Sequence, residues 1–383
     1  MRWVITADPR ATNIPNLPRP TAPRRAHCPI MVRLRPTPRT TPQDHGVSHM
    51  LNIGFIGLGG MGLYQCDAFN DTRGLKVFAG ADLAAASRKK FAAQYPTARV
   101  HQDHHDLLAD TDVDAVVVAT PSAFHKPQVI DVMRSGRPVM TEKPMALKVT
   151  DCHRMLDVAA KTKQKLMVAH CRRYDPDWGA MAKVVADGTL GRPILWRHMM
   201  ATVFRVAPWF LDKKIGGGPM IDGAVHNHDF ANLMFGKPEA VQAGSIKLSK
   251  SSAVDTATAI VHYPRGNQMM LSWSWGAHGS NAFDVLGPRA GLTNGTGQLT
   301  PPKSDGDRYG YWCVTDDNRR QRLIKYRRDG KSMYHRQAEH FRDWINGKVK
   351  RCNTPGTTAI QAVAVAEAIF KSAEKGTTQK VKW

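Results

Sequence analysis

LNIGFIGLGGMG, residues 51–62, joins an apolar run to three glycines, Gly57, Gly59 and Gly62, and the helix-compatible LYQCDAFN follows at once. A strand, a tight turn and a helix in that order use the first glycine for the turn. The second lets a backbone approach a pyrophosphate, and the third lets the helix pack on the strand. The spacing gains weight from LKVFAGAD, which ends at Asp82, twenty residues past Gly62. An acid there accepts hydrogen bonds from the ribose hydroxyls and repels a 2′-phosphate. The stretch therefore predicts a dinucleotide turn with Gly57, Gly59, Gly60, Met61, Gly62 and Asp82 as contacts, and NAD over NADP. Arg88, Lys89 and Lys90 on the next helix keep NADP possible, although such charges are more often solvated.

Outward from this turn the chain alternates. DVDAVVVATP reads as a buried strand, HKPQVIDVMRSG as a helix, RPVMTE as a strand, DCHRMLDVAAKTK as a helix and KLMVAH as a strand. Such alternation predicts an α/β domain with a doubly wound parallel sheet, the Rossmann arrangement, over residues 50–170. Ligands of these sheets bind beyond the carboxyl ends of the strands. Thr120, Pro121, Ser122, His125, Glu142 and Lys143 fall on that rim as expected cofactor contacts.

Composition narrows the class. With 383 residues, 42% hydrophobic and 22% charged, the chain reads as a globular protein of about two domains. No apolar run reaches the roughly 18 to 20 residues that span a bilayer. The net charge of +22 is scattered and carries no nucleic-acid motif, so neither a specific nucleic-acid nor a membrane partner is expected. Six well-separated cysteines with no CxxC fit a reduced, cytoplasmic protein. Residues 1–49 hold nine of the 24 prolines, eight arginines and two acids, a composition expected to be disordered, with Met50 as the functional start. Beyond residue 190 the period shifts: RPILWRHMMATVF, DTATAIVHYPRGNQMMLSWSW and NAFDVLG read as strands, and PRGN as a hairpin turn.

GLGGMG, ATPSAFH, TEKP, HCRRYDPDW and GGGPMIDGAVHNHD, in this order and spacing, resemble the inositol dehydrogenase and glucose-fructose oxidoreductase family, usually called Gfo/Idh/MocA. AEHFRDWINGK and AVAVAEAIFKSAEKG are similar to its closing helices. The resemblance covers about residues 51–383. It implies a C-terminal α/β domain with a large, mostly antiparallel open sheet, here residues 171–383, whose final helices pack back on the Rossmann domain. It also implies hydride transfer between a nicotinamide and a carbinol carbon of a sugar, inositol or related polyol. By matching motifs, Lys143 takes the place of the family's EKP lysine, and Asp222 and His226 that of its aspartate and histidine. Pro144 takes the place of a proline often preceded by a cis peptide bond. The resemblance suggests that Arg172, Arg173, Tyr174 and Asp175 line or brace the substrate pocket, or that at least one of the arginines forms an interdomain salt bridge, and Arg205 and Trp209 are expected to contact substrate. A homo-oligomer through the C-terminal sheet is expected, as in many relatives.

Oxidising an alcohol requires a base within hydrogen-bond reach of the hydroxyl while the hydride leaves the same carbon. His226 suits that task because its ordinary pKa of about 6.5 lies near neutrality. Asp222, four residues earlier, is expected on the same helix face, where it would orient the imidazole or hydrogen-bond the substrate. Lys143 would steady the developing oxyanion or relay its proton, and Glu142 would hold Lys143 or the turn. No metal is expected: Asp222, His226, His228 and Asp229 offer donors, but His226 and His228 point to different sides of a helix. Other readings remain: a sugar-sugar oxidoreductase or oxidation-assisted glycosidase with bound NAD, and a cofactor-binding regulator. Residues 300–335 match no pattern.

Overall fold

The computed structural model describes residues 50–203, 207–279 and 281–383. The Pro- and Arg-rich segment 1–49, expected to be disordered, lies outside the described residues. The first sheet contains β1 (Leu51–Ile56), β2 (Leu75–Ala81), β3 (Arg99–His101), β4 (Ala115–Val118), β5 (Val139–Thr141) and β6 (Leu166–Val168). All are parallel, in the order β3-β2-β1-β4-β5-β6. The order reverses between β1 and β4, which opens the ligand crevice beyond their carboxyl ends. All four residues of β4 are buried, as a strand covered by helices on both faces requires.

Five helices complete this layer: α1 (Gly60–Asn70), α2 (Ala85–Gln94), α3 (His104–Ala109), α4 (His125–Arg134) and α5 (Val149–Thr162). Gly57 turns β1 into α1 with φ of 91°, and a Cβ there would stand 2.7 Å from the Thr120 amide nitrogen. Only glycine lets the two strand ends come so close. β3 and α3 carry no sequence signal strong enough to assign. β3 is three residues long and mostly exposed, and α3 is one short segment capped by Asp103, whose carboxylate accepts from the His105 amide.

After α6 (Pro176–Ala186) the chain builds a nine-stranded sheet. Its strands are β7 (Leu195–Ala201), β8 (Ala240–Ile246), β9 (Thr256–His262), β10 (Gln268–Ser274), β11 (Asn281–Leu286), β12 (Ala290–Asn294), β13 (Tyr309–Asp316), β14 (Gln321–Arg327) and β15 (Gln379–Lys380). The order is β14-β13-β12-β11-β7-β10-β9-β8-β15. Every pairing is antiparallel except β7 with β10. The PRGN turn joins β9 to β10 as a hairpin, with Arg265 at φ 63°. Residues 300–335, which carried no legible pattern, supply the β13-β14 hairpin at the sheet edge.

One face of the sheet is covered by α7 (Val225–Phe235) and α9 (Gly356–Lys375), and α8 (Met333–Ile345) lies against α1. The last helices return to the first sheet. Phe341 of α8 packs its ring 6.1 Å from that of Phe69. Glu367 of α9 accepts from the Val149 amide at 2.8 Å, and Thr354 O accepts from Val168 N at 2.9 Å. These ties dock α8, α9 and the segment between them on α1, α5 and the end of β6.

Candidate active site

α1 begins at a bare end. Gly59 at its N-cap offers no side chain, and no acid lies in the first turn. The first intrahelical bond runs from Leu63 N to Gly59 O, so the amides of Gly60, Met61 and Gly62 have no partner one turn back. The glycines divide by role. A Cβ on Gly62 would fall 2.0 Å from Gly57 O, whereas one on Gly59 or Gly60 meets no atom within 4 Å. Gly62 thus serves the packing of α1 on the turn, while open space lies over Gly59 and Gly60. Bare amides at a helix N-terminus beneath such space fit a pyrophosphate. Asp82 closes the turn: Oδ2 accepts from Leu58 N and Oδ1 from Ala84 N, both at 2.7 Å. Arg88 donates through Nη1 to the carbonyls of Asp82 and Leu83 at 2.8 and 2.9 Å, while Lys89 and Lys90 are exposed.

The second rim segment follows β4. Thr120 Oγ1 donates to Gln128 Oε1 at 2.6 Å, and Ala123 N donates to Ile215 O at 3.1 Å. Pro121 starts a short 3-10 turn in which Ser122 is buried. His125 is buried between two carbonyl oxygens, Pro144 O at Nδ1 and Thr120 O at Nε2, each at 2.8 Å. Burial lowers its pKa against the pull of those carbonyls. Lying between these two carbonyls, one of which the neutral ring can donate to, His125 is buried at the junction of the ends of β4 and β5.

Glu142 and Lys143 leave β5 in different directions. The Glu142 carboxylate is buried, accepts from Gln65 Nε2 of α1 at 2.6 Å and from its neighbour's amide, Lys143 N, at 3.2 Å. Burial pushes its pKa up. It anchors the turn to α1 and leaves the lysine amine free of it. Lys143, joined to Pro144 by a cis peptide bond, donates from Nζ to Asp222 O at 3.1 Å and to Asp222 Oδ1 at 3.2 Å.

Asp222 is not on the helix that its spacing from His226 suggested. α7 begins at Val225, and Ala224 N reaches five residues back to Pro219 O. Gly217 and Gly218, with φ of 80° and 86°, coil the chain into a wider turn that delivers Asp222 to Lys143. His226 stands in the first turn of α7. Its Nδ1 is buried without a hydrogen-bond partner while the residue is half-buried, which leaves Nε2 as the accessible nitrogen. Burial, then the charges of Arg172, Lys143 and His170, push its pKa well below the usual range.

Arg173 and Tyr174 serve the scaffold. Arg173 clamps both oxygens of Asp229 through Nε and Nη2, each at 2.7 Å, and donates through Nη1 to Asn353 O at 2.8 Å. Its forked donors are matched by these acceptors, the salt-bridge alternative of the sequence reading. The Tyr174 hydroxyl meets Thr354 Oγ1 at 3.2 Å and its ring lies 5.3 Å from that of His340, in the apolar cluster under α8. Arg205 lies outside the described residues. Trp209 stacks on Phe210 at 3.7 Å. The four donors weighed for a metal go to separate tasks: Asp222 to Lys143, Asp229 to Arg173, His228 Nε2 to Met220 O at 3.0 Å, and His226 to the crevice.

A polar chain beside the site starts at Arg172, which the sequence placed near the pocket, and runs on through residues that had no signal there. Arg172 Nη1 donates to Asn227 Oδ1 at 2.8 Å, Asn227 Nδ2 approaches His198 Nδ1 at 2.5 Å, and His198 Nε2 meets Asn281 Oδ1 at 2.8 Å. Its members come from α7, β7, β11 and the segment after β6, with nothing local to link them.

A parallel six-stranded sheet with a bare glycine turn, joined to an open, mostly antiparallel sheet, defines an α/β dinucleotide-binding oxidoreductase fold. Residues 51–170 match the oxidoreductase family with an NAD-binding Rossmann fold, and residues 178–293 match the GFO/IDH/MocA C-terminal domain; the chain belongs to the Gfo/Idh/MocA family. It is 27% identical over 224 residues to the myo-inositol 2-dehydrogenase of Thermotoga maritima, 56% of this chain and 66% of that protein, just under two thirds of its length. It is 29% identical to inositol 2-dehydrogenase 2 of Saccharopolyspora erythraea, over 68% of this chain and 76% of the relative. The aldose-aldose oxidoreductase of Caulobacter crescentus, solved with glycerol, shares the fold with a TM-score of 0.75 at 23% identity, over 87% of this chain and all of that one.

The glycine geometry separates packing from ligand space. Gly62→Ala is expected to cost about 1–3 kcal/mol of stability through overpacking. Gly59→Ala leaves stability within about 0.5 kcal/mol yet weakens NADH binding about tenfold or more, as read by urea unfolding and fluorescence titration.

Proposed function

We propose that this protein is a dehydrogenase that moves a hydride between NAD and a carbinol carbon of a sugar, inositol or related polyol. The contact of Lys143 Nζ with Asp222, beside the accessible edge of His226 at the dinucleotide rim, carries this reading. The inositol dehydrogenases among the relatives support the polyol class.

Held on the turn of Gly57, Gly59, Gly60, Met61 and Gly62 and at Asp82, NAD supplies the hydride acceptor. The rest falls to the chain. Lys143 donates from Nζ to the reacting hydroxyl oxygen and stabilises the negative charge that grows there as the proton leaves. Asp222 fixes the direction of that donor through two oxygens. His226 takes the hydroxyl proton at Nε2, the nitrogen that faces the crevice, and because burial disfavours the charged ring it holds that proton only briefly. In the reducing direction the same nitrogen returns the proton to the carbonyl oxygen.

Preference for NAD over NADP is supported by Asp82, an acid at the end of β2 whose charge would repel a 2′-phosphate, and by Arg88, which is spent on backbone carbonyls. Exposed Met199, Ile246 and Leu248 at the open sheet support a homo-oligomer formed through that sheet. The five described cysteines are free, which supports a reducing compartment such as the cytoplasm. Among the described residues no helix is long and apolar enough to cross a membrane.

Lys143→Met is expected to lower polyol turnover by about 10²–10⁴-fold; full turnover by this variant would remove Lys143 from the reaction. In fluorescence titrations NADH binds more tightly than NADPH, and the reverse order would show that Arg88, Lys89 and Lys90 outweigh Asp82.

A further inference from the structure

Arg172 and Arg173 leave the same short turn after β6 and end in opposite conditions. Arg173 lays the Nε–Nη2 edge of its guanidinium along both oxygens of Asp229, each at 2.7 Å. The same edge of Arg172 has no acceptor among the described residues. Its Nη1 donates to Asn227 Oδ1 at 2.8 Å, and no carboxylate among the described residues forms an ion pair with it. The residue is part-buried. Its Nε and Nη2 are not among the buried atoms left without partners, so both reach open space.

That open edge belongs to the candidate site and has a fixed direction. Asn227, which holds Nη1, is the chain neighbour of His226 in the first turn of α7. The guanidinium lies 4.3 Å from the ring of Trp178, which is itself stacked on Phe283 at 5.7 Å and 6°. Asn227 is held in turn by His198. Hydrogen bond and ring together fix the plane of the group and leave one edge bare.

The charge of Arg172 is the unusual feature. Lys143 has Asp222 and Arg173 has Asp229 as partner ions, whereas Asn227 and Trp178 carry no negative charge. A cation drawn partly out of water loses hydration that one neutral hydrogen bond does not restore. A carboxylate restores it, because two coplanar oxygens match the Nε–Nη2 fork, the pairing that Asp229 makes on Arg173. Burial lowers the Arg172 pKa to about 10, so the group is still cationic near neutrality.

We propose that Arg172 is a specificity-determining residue that binds a carboxylate of the substrate, so that the molecule oxidised is a polyol carrying an acid group, of the aldonate or uronate type. This rests on the dehydrogenase reading given above and narrows its substrate class. The carboxylate takes the bare edge of Arg172, and the reacting carbinol stays with Lys143 and His226.

The test uses the full chain with NAD⁺ added and matched probes: D-gluconate against D-glucitol, and D-glucuronate against D-glucuronamide, with D-glucose 6-phosphate as a separate anion. Affinity is read by titration calorimetry and turnover by nicotinamide absorbance. Each acid is expected to bind about 10²-fold more tightly than its neutral partner, the effect of a pair of charge-assisted hydrogen bonds. In Arg172→Gln that preference falls below about threefold, and Arg172→Lys, which keeps the charge without the fork, retains about tenfold. The proposal is overturned if the acids bind no better than their neutral partners in the unsubstituted protein. It is also overturned if Arg172→Gln weakens acid and neutral probes by the same factor, as a purely structural role requires, or if the sugar phosphate binds more tightly than both acids. Should Arg172→Gln not fold, the preference of the unsubstituted protein and its reduction in Arg172→Lys decide. Acid preference without hydride transfer would remove the proposed reaction and leave this site intact, whereas turnover of neutral polyols without acid preference would do the reverse.

Discussion

The bond from Lys143 Nζ to Asp222 spans the molecule's two sheets. Lys143 leaves the end of β5 in the first sheet, and Asp222 lies on the glycine-coiled approach to α7, which covers the second. Their side chains are only 15% and 8% exposed. Burying two charges carries a desolvation penalty that their attraction does not reliably recover, so such a pair is weak evidence for stability. Its location points instead to chemistry: a lysine held by a carboxylate and a backbone carbonyl has a fixed direction and one donor to spare for a substrate oxygen. Gly217 and Gly218, the Glu142 anchor on α1 and His125 at the junction of β4 and β5 all act to keep this contact in place.

Around it the polar groups are sorted by sign. Asp229 is matched by Arg173 and Glu142 by Gln65, while Arg172 spreads its charge onto Asn227 and over the face of Trp178, 4.3 Å away. His226 keeps Nε2 accessible while its Nδ1 is buried. In a buried, mostly positive setting it is a neutral acceptor that readily gives a proton up again. That is the behaviour the proposed reaction asks of its proton acceptor, which must reset after each turnover.

Much of this was legible in the sequence, for reasons that are local. The run LNIGFIGLGGMG and the alternation through KLMVAH encode steric and periodic demands that act within a few residues, so the parallel sheet, the glycine turn and the place of Asp82 could be read directly. Lys143 was legible because strand order puts the end of β5 on the ligand rim. Asp222 was assigned to the right neighbourhood on the wrong element: its spacing from His226 mimics one helical turn, but the chain widens at Ala224, whose amide reaches back to Pro219 O, and the Asp222 carbonyl accepts from Lys143. Arg173 and Tyr174 looked like pocket residues by position, whereas their partners Asp229, Asn353, Thr354 and His340 are far along the chain and invisible to any local rule. His198, Asn281 and His170 were missed for the same reason. The β13-β14 hairpin was missed because an edge pair rich in arginine lacks the apolar alternation that marks a half-buried strand.

The central claim is that Lys143 and Asp222 act as one unit on the substrate oxygen. A double-substitution cycle with Lys143→Met, Asp222→Asn and both together, read as kcat/KM for NAD-dependent polyol oxidation, tests it most directly. The account predicts that the double variant loses about as much activity as the worse of the two single ones. Losses that multiply would contradict it, because they would mean that the two residues serve the reaction independently.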